Sequence, residues 1–182
     1  MGEVSRPKPV NLICAVLAAR SDWLAEAKDR LEKLFGPVDL ASAAWPFDHT
    51  DYYEPEMGPA LLRQLFGFRE LMMPDDLRTA KLSTNRLERE LSRDLKGAPA
   101  RPANLDPGYV CLDKLVLATT KNHAHRVYLG GGIYAECTLR WRDGAFAPWE
   151  WTYPDYATEA YREFFAQVRG LYREKLKGAA TG

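Results

Sequence analysis

Neither sign of charge is in excess: Lys and Arg number 25, Asp and Glu number 25, and the formal net charge is zero. A protein that grips DNA or RNA through its phosphates carries a basic surplus, so bulk nucleic-acid binding is not expected. Long apolar runs are missing as well. The longest, Leu12 to Ala19, falls far short of the roughly 18 residues that cross a bilayer, and no membrane contact is expected. The opening stretch MGEVSRPKP holds no apolar signal-peptide core. Cysteine is scarce: Cys14, Cys111 and Cys137 each lie in an apolar segment, with none of the spacings of a zinc site. An odd count without a secretion signal reads as reduced, buried thiols, as expected in a cytoplasm. There is no Gly-x-x-x-x-Gly-Lys-Ser/Thr loop, no Gly-x-Ser-x-Gly elbow and no His-Glu-x-x-His pair, which excludes a P-loop, a serine-hydrolase elbow and a zincin helix.

What is present is enough for a core. Of 182 residues, 46% are hydrophobic and 12% aromatic, the mark of a single folded domain over 1–182, with 1–8 and 178–182 expected as flexible tails. Pro9 to Ala19 reads as a central strand buried on both faces. Ser21 or Asp22 is expected to cap a helix carrying Leu24, Ala27, Leu31, Leu34 and Phe35 on one face, stopped by Gly36-Pro37. Val38 to Phe47 and Leu61 to Met72 read as strands, with a helix nearly as well supported for Leu61 to Phe66. Pro74-Asp75-Asp76 opens a helical region with Ala80, Leu87, Leu91 and Leu95 as its apolar stripe, and the capping-box spacing of Asn85 and Glu88 predicts a restart there. Asn104 to Tyr109 reads as a turn on its Asp-Pro-Gly core.

Val110 to Thr120 reads as a strand, and a hairpin turning at Gly130-Gly131-Gly132 follows, from Arg126–Leu129 into Ile133–Arg142. Asp143-Gly144 signals a second tight hairpin. The last helix is predicted after Tyr153-Pro154-Asp155, with Tyr156, Ala160, Phe164, Val168, Leu171 and Leu176 on its apolar face. The order β-α-β-β-α-β, then a hairpin and a helix, defines the expected class. It is α+β, a ferredoxin-like split βαβ antiparallel sheet with an added β-hairpin and a C-terminal helix.

Hairpin register sorts the side chains near the glycines. Pairing Arg126 with Glu136, Val127 with Ala135 and Tyr128 with Tyr134 keeps like opposite like, and a one-residue slip would invert every side chain. That register puts His125 beside Cys137 on the buried face and Glu136 on the other. It therefore breaks up the metal triad that His123, His125 and Glu136 would otherwise suggest, and no metal ligands are assigned.

The polar clusters supply the candidate ligand contacts. Asp48 to Gly58 packs acids, a histidine and two tyrosines between strands, and Thr50, Asp51, Tyr52, Tyr53 and Glu56 are its candidates. Lys81 and Asn85 sit at an expected helix start, where free backbone N–H groups and a lysine suit phosphate. Lys114 interrupts an apolar strand that ends in Thr119-Thr120-Lys121-Asn122, so Lys114, Lys121, Arg126 and Glu136 complete the set. No catalytic residue follows from these patterns.

Three stretches resemble an uncharacterised bacterial family, domain of unknown function family 4416. They are WPFDHTDYYEPEMG (45–58), KLSTNRLE (81–88) and NLDPGYVCLDKLVLATTKNHAHRVYLGGGIYAECTL (104–139). The likeness runs from the first strand to Tyr153-Pro154-Asp155. Some members carry the name "GTP-binding protein", so the resemblance implies a guanine nucleotide, although the chain has neither a P-loop nor an Asn-Lys-x-Asp motif.

Three functions are open at this point. The first is binding of a phosphorylated small molecule or nucleotide, GTP included, in a cleft of strand ends and the 48–58 loop, with Mg²⁺ accompanying a nucleotide. The second is a non-catalytic module that docks a protein or RNA on the polar sheet face and the helix Tyr156 to Leu176, with Tyr128, Tyr134, Arg140 and Arg142 as contacts. The third is a metal-dependent hydrolase built on the acidic loop and the histidines.

Overall fold

Nine consecutive buried residues, Val10–Ala18 (β1), form the axis of the fold, as their apolar run predicts. The computed structural model describes residues 2–179. Residues 2–8 are exposed and without regular structure. Of the expected C-terminal tail, 178 and 179 continue the last helix, and 180–182, like Met1, lie outside the described residues.

Helix α1 (Ser21–Phe35) follows β1. Neither Ser21 nor Asp22 is its cap. That position falls to Arg20, extended and without a capping bond, whose guanidinium instead donates to Asp22 at 2.8 Å, holding an acid near the positive helix end. The expected strand from Val38 to Phe47 is two pieces, β2 (Val38–Ala41) and β3 (Trp45–Pro46). Between them Ser42 exchanges bonds with Leu65 through its own N–H and Oγ, and the chain steps out of the ladder. A 3₁₀ turn (Asp51–Tyr53) and the short helix α2 (Glu54–Met57) lead into β4 (Leu62–Met72), the long strand the sequence predicts.

Helix α3 (Leu77–Asp94) runs without the restart that Asn85 and Glu88 suggest. Glu88 does not cap its own helix; its carboxylate accepts the Leu105 N–H at 2.7 Å. Leu105 belongs to β5 (Ala103–Val110), where a turn is expected from the Asp-Pro-Gly core. The local turn preference loses because β5 pairs with β1 along its whole length, from Ala18↔Ala103 to Asn11↔Val110. The expected strand Val110 to Thr120 is interrupted: Cys111 donates to Lys114 O and turns the chain into β6 (Lys114–Thr119).

β7 (Val127–Gly130) and β8 (Ile133–Arg142) pair with Val127 opposite Ala135 and Tyr128 opposite Tyr134, the expected register. Asp143 (φ 52°) and Gly144 (φ 83°) close the next hairpin into β9 (Ala145–Pro148), both residues in the left-handed region this turn requires. Helix α4 (Glu159–Ala179) ends the described chain. Its buried face is Tyr161, Phe164, Phe165, Val168 and Tyr172, while Ala160 and Leu171 are exposed. The predicted stripe is out of phase because Tyr156 precedes the helix and does not share its period.

The result is a mixed α+β protein: a nine-stranded antiparallel sheet in the order β2-β4-β1-β5-β6-β8-β7, with β3 on β4 and β9 on β8. Leu12, Cys14, Val16 and Ala18 of β1 face α1 and α3. Ile13 and Ala15 face the opposite way, into a core built with Tyr161, Phe164, Phe165 and Val168 of α4. Both faces of the central strands are thus covered.

Candidate functional site

The sheet opens between β5 and β6. Their ladder covers Gly108↔Leu117 to Val110↔Leu115 and goes no further. Glycine is required at its last rung: a Cβ on Gly108 would stand 2.4 Å from Val116 O. Beyond it β5 keeps β1 on one side and has a free edge on the other, and Pro107, which has no N–H to give, sits there. Unpaired edge groups in the interior must find partners. Helix α3 provides them: Lys81 Nζ donates to Leu105 O at 2.8 Å and to Asp106 Oδ1 at 3.1 Å, while Glu88 takes the Leu105 N–H.

This wedge holds a cavity of about 430 Å³. Small-molecule sites span roughly 300–1,000 Å³. The segment from Phe47 to Tyr53, the ends of β6 and β8, and the Tyr153–Tyr156 connection close its sides.

Its floor is charged and buried. Arg63 of β4, 3% exposed, lies between two carboxylates, with Nη1 3.5 Å from Asp106 Oδ2 and Nη2 3.7 Å from Asp155 Oδ2. The Phe47 ring lies 4.8 Å from the guanidinium carbon. Among the described residues neither Nε nor Nη1 of Arg63 has a hydrogen-bond acceptor, and the buried Tyr156 hydroxyl also lacks a partner. Burial works against the Arg63 charge, yet Tyr156, Asp155 and Asp106 around it keep its pKa raised.

The two carboxylates differ. Burial pulls Asp106 upward, but Lys81, Arg63 and the Asn104 amide, 2.5 Å away, hold it below its ordinary value. Burial raises Asp155, against the pull of Arg63 at long range, the backbone N–H of Tyr156 and His49. Burial likewise raises Glu88, against the pull of Lys81 and Arg101, and pushes Tyr53 up to about 12. Arg101 bonds Asn104 Oδ1 and, at 3.1 Å, Glu88.

The wall toward β7 and β8 is arranged otherwise. Arg126 donates from Nε to Glu136 Oε2 at 2.8 Å, from Nη1 to Lys121 O at 2.9 Å and from Nη2 to the Tyr153 hydroxyl at 2.8 Å. Glu136 also accepts from Thr138 at 3.2 Å. His125 Nε2 stands 3.0 Å from Glu136 Oε2, not beside Cys137 as expected. The register is right, but His125 precedes β7, in a turn closed by Arg126 N–H to His123 O, so strand alternation does not govern it. His125 stacks on Trp151 at 5.3 Å, and Trp151 on Trp149 at 5.1 Å. Among the described residues no three His, Cys, Asp or Glu side chains are grouped to hold a metal. Arg126 already occupies the carboxylate oxygen a cation would use.

Of the expected contacts, Thr50, Tyr52, Tyr53, Lys81, Asn85, Lys121, Arg126 and Glu136 line the cavity. Asp51, Glu56 and Lys114 do not. Asp51 is exposed in the 3₁₀ turn, Glu56 faces Arg101 at 3.5 Å from outside, and Lys114 lies exposed at the far end of β6, opposite Arg140. Sequence reasoning overlooked Arg63, Asn104, Asp155 and Tyr156 as site residues, and took Asp106 only as part of a turn. Arg63 left a trace, as the lone charge in the run LLRQLFGF. Lys81, Thr84 and Glu88 left another, at helical spacing beside the apolar stripe. On the polar strand face, Tyr128 packs on Tyr134 and Arg140 covers Trp149, while Tyr156, Phe164 and Val168 are spent in the core.

Fold and cavity together define a mixed α+β protein with a polar, aromatic-walled pocket at a parting in its sheet. The chain belongs to the family described as domain of unknown function (DUF4416), whose model matches residues 8–172. No curated protein and no solved structure matches it. No helix among the described residues is long and apolar enough to cross a membrane.

Proposed function

We propose that this cavity binds a phosphorylated small molecule, with nucleotides such as GTP within the class, in a cytoplasmic protein. The observation that carries the reading is the charge of the lining. Arg63, Lys81, Arg101, Lys121 and Arg126 face three carboxylates, Asp106, Asp155 and Glu136. Glu88 offsets Arg101 from behind, and Lys121 at the exposed rim has no carboxylate partner among the described residues. Its ammonium rests on the Tyr52 ring at 4.1 Å, a contact a phosphate oxygen would outcompete. Tyr52, Tyr53 and Phe47 offer flat apolar surface next to that charge. Mg²⁺ would accompany a nucleotide on its phosphates.

Two finer points belong to the same proposal. The order β2-β4-β1-β5, all antiparallel, with α1 and α3 packed on one face, supports a ferredoxin-like unit to which β6–β9 and α4 are added. Three free cysteines, with the Cys14 thiol raised by burial, support a reducing compartment.

Thermal unfolding against a panel of nucleotides and sugar phosphates, with and without Mg²⁺, tests the reading. A ligand at 100 times its Kd stabilises the folded state by about 2.7 kcal/mol, and Lys121→Met should remove most of that gain. A panel without a single upward shift would overturn the proposal.

A further inference from the structure

The floor and the rim of the cavity ask for different chemistry. Lys121 at the rim is exposed and meets no carboxylate among the described residues, so the anionic end of a ligand belongs there, beside Thr119 and Thr120, which also line the cavity. The floor is different. Arg63 and Lys81 are matched there by Asp106 and Asp155, so a second anion would meet as much repulsion as attraction. Yet the floor is not satisfied. Among the described residues Arg63 Nε and Nη1 are buried without acceptors, the Tyr156 hydroxyl has no partner, and the Asp155 carboxylate stands 3.7 Å from the guanidinium, too far to satisfy it. Unpaired buried donors and acceptors are costly, and a neutral group that both donates and accepts would satisfy both kinds at once. A hydroxyl is such a group.

Resting on the anion-binding reading above, we infer that the ligand is a polyhydroxylated phosphate monoester, bound with its phosphate at Lys121 and its hydroxyls on the Arg63–Asp155–Tyr156 floor. The hydroxyls donate to Asp155 and accept from Arg63 and Tyr156. The Phe47 ring, already against Arg63, forms an apolar wall that suits the C–H face of a sugar. Asp106 takes no part in this exchange: Lys81 and Asn104 already occupy its oxygens.

The test is calorimetric titration of the full chain with inorganic phosphate, phenyl phosphate and ribose 5-phosphate, repeated on Asp155→Asn, Tyr156→Phe and Lys121→Met. Tyr156→Phe deletes a hydroxyl that bonds nothing in the protein, so it folds without loss of an internal bond. Ribose 5-phosphate should bind at least about tenfold tighter than either other probe, the worth of one or two hydrogen bonds to charged groups. Tyr156→Phe and Asp155→Asn should each erase much of that advantage without weakening inorganic phosphate, which Asp155→Asn, by removing a repelling charge, can only help, whereas Lys121→Met should weaken all three probes alike. Equal affinity for ribose 5-phosphate and phenyl phosphate would overturn the inference, and so would floor variants that weaken every probe equally. Failure of all three probes to bind the unmodified protein would instead bring down the anion-binding reading beneath it.

Discussion

Two arginines line the same cavity, both nearly closed to solvent, and they are held in opposite ways. Arg126 spends Nε, Nη1 and Nη2 on a carboxylate, a carbonyl and a phenol, each within 2.9 Å. Arg63 has two carboxylates within reach, neither closer than 3.5 Å, and two N–H groups with no acceptor. Burying a charge is repaid only when its hydrogen bonds are made. The first arrangement holds β7 and β8 to the Lys121 and Tyr153 segments. The second leaves polar groups at the floor unpaired among the described residues.

The largest expected effect breaks the tight arrangement. Glu136→Ala leaves the Arg126 charge buried without its carboxylate and should cost about 3–5 kcal/mol in urea unfolding. If the loss is under 1 kcal/mol, Arg126 is not held by that pair and the contrast between the two arginines disappears. Next in size is Gly108→Ala. A methyl 2.4 Å from Val116 O forces β5 and β6 apart at their last rung, and the same unfolding measurement should register about 1–3 kcal/mol lost.

A third experiment uses pH to separate the two carboxylates beside Arg63. Asp155 is raised when folded, so the folded state holds its proton more tightly than the unfolded chain does. Its stabilising contribution is therefore complete below the ordinary 3.8 and is lost as pH rises through the raised value. Asp155→Asn should then be more stable than the unmodified protein at neutral pH, by a margin that shrinks on acidification. Asp106 is lowered, so its contribution is present above 3.8 and is lost as pH falls through the folded value. Asp106→Asn should be less stable at neutral pH, and the gap should close in acid. Parallel pH profiles for the two variants would show that Arg63 and Lys81 do not distinguish the carboxylates. The smallest effect is at the rim: Tyr52→Ala removes an exposed ring from Lys121 and should change stability by less than about 1 kcal/mol, measured by the same unfolding.

How much of this was legible depends on whether the deciding interaction was local. β1 and β8 read directly from apolar runs and alternation, and the Asp143-Gly144 hairpin from its two residues, whereas the first residues of β4 fitted a helix nearly as well as the strand they form. β5 did not: Asp-Pro-Gly is a turn by local preference, and only the ladder with β1 makes it a strand. Glu88 showed the same conflict. Its spacing from Asn85 is that of a cap, but its carboxylate goes to a neighbouring strand. In the site, Lys121, Arg126 and Glu136 were visible as polar residues at strand ends. Asp51, Glu56 and Lys114 looked equally polar and lie outside, because sequence shows residue type and not which end of a strand meets the cavity. Arg63 and Asp155, distant in the chain, become neighbours only through β4 and the connection into α4.

Sequence alone determined the antiparallel α+β class, the central strand and the hairpin register, since these rest on periodicity and turn chemistry within a few residues. The tertiary structure decided where β5 parts from β6, and with it the existence of a cavity. That parting depends on a glycine meeting a carbonyl of the next strand and on α3 side chains that complete the freed edge, contacts between segments that no local pattern encodes.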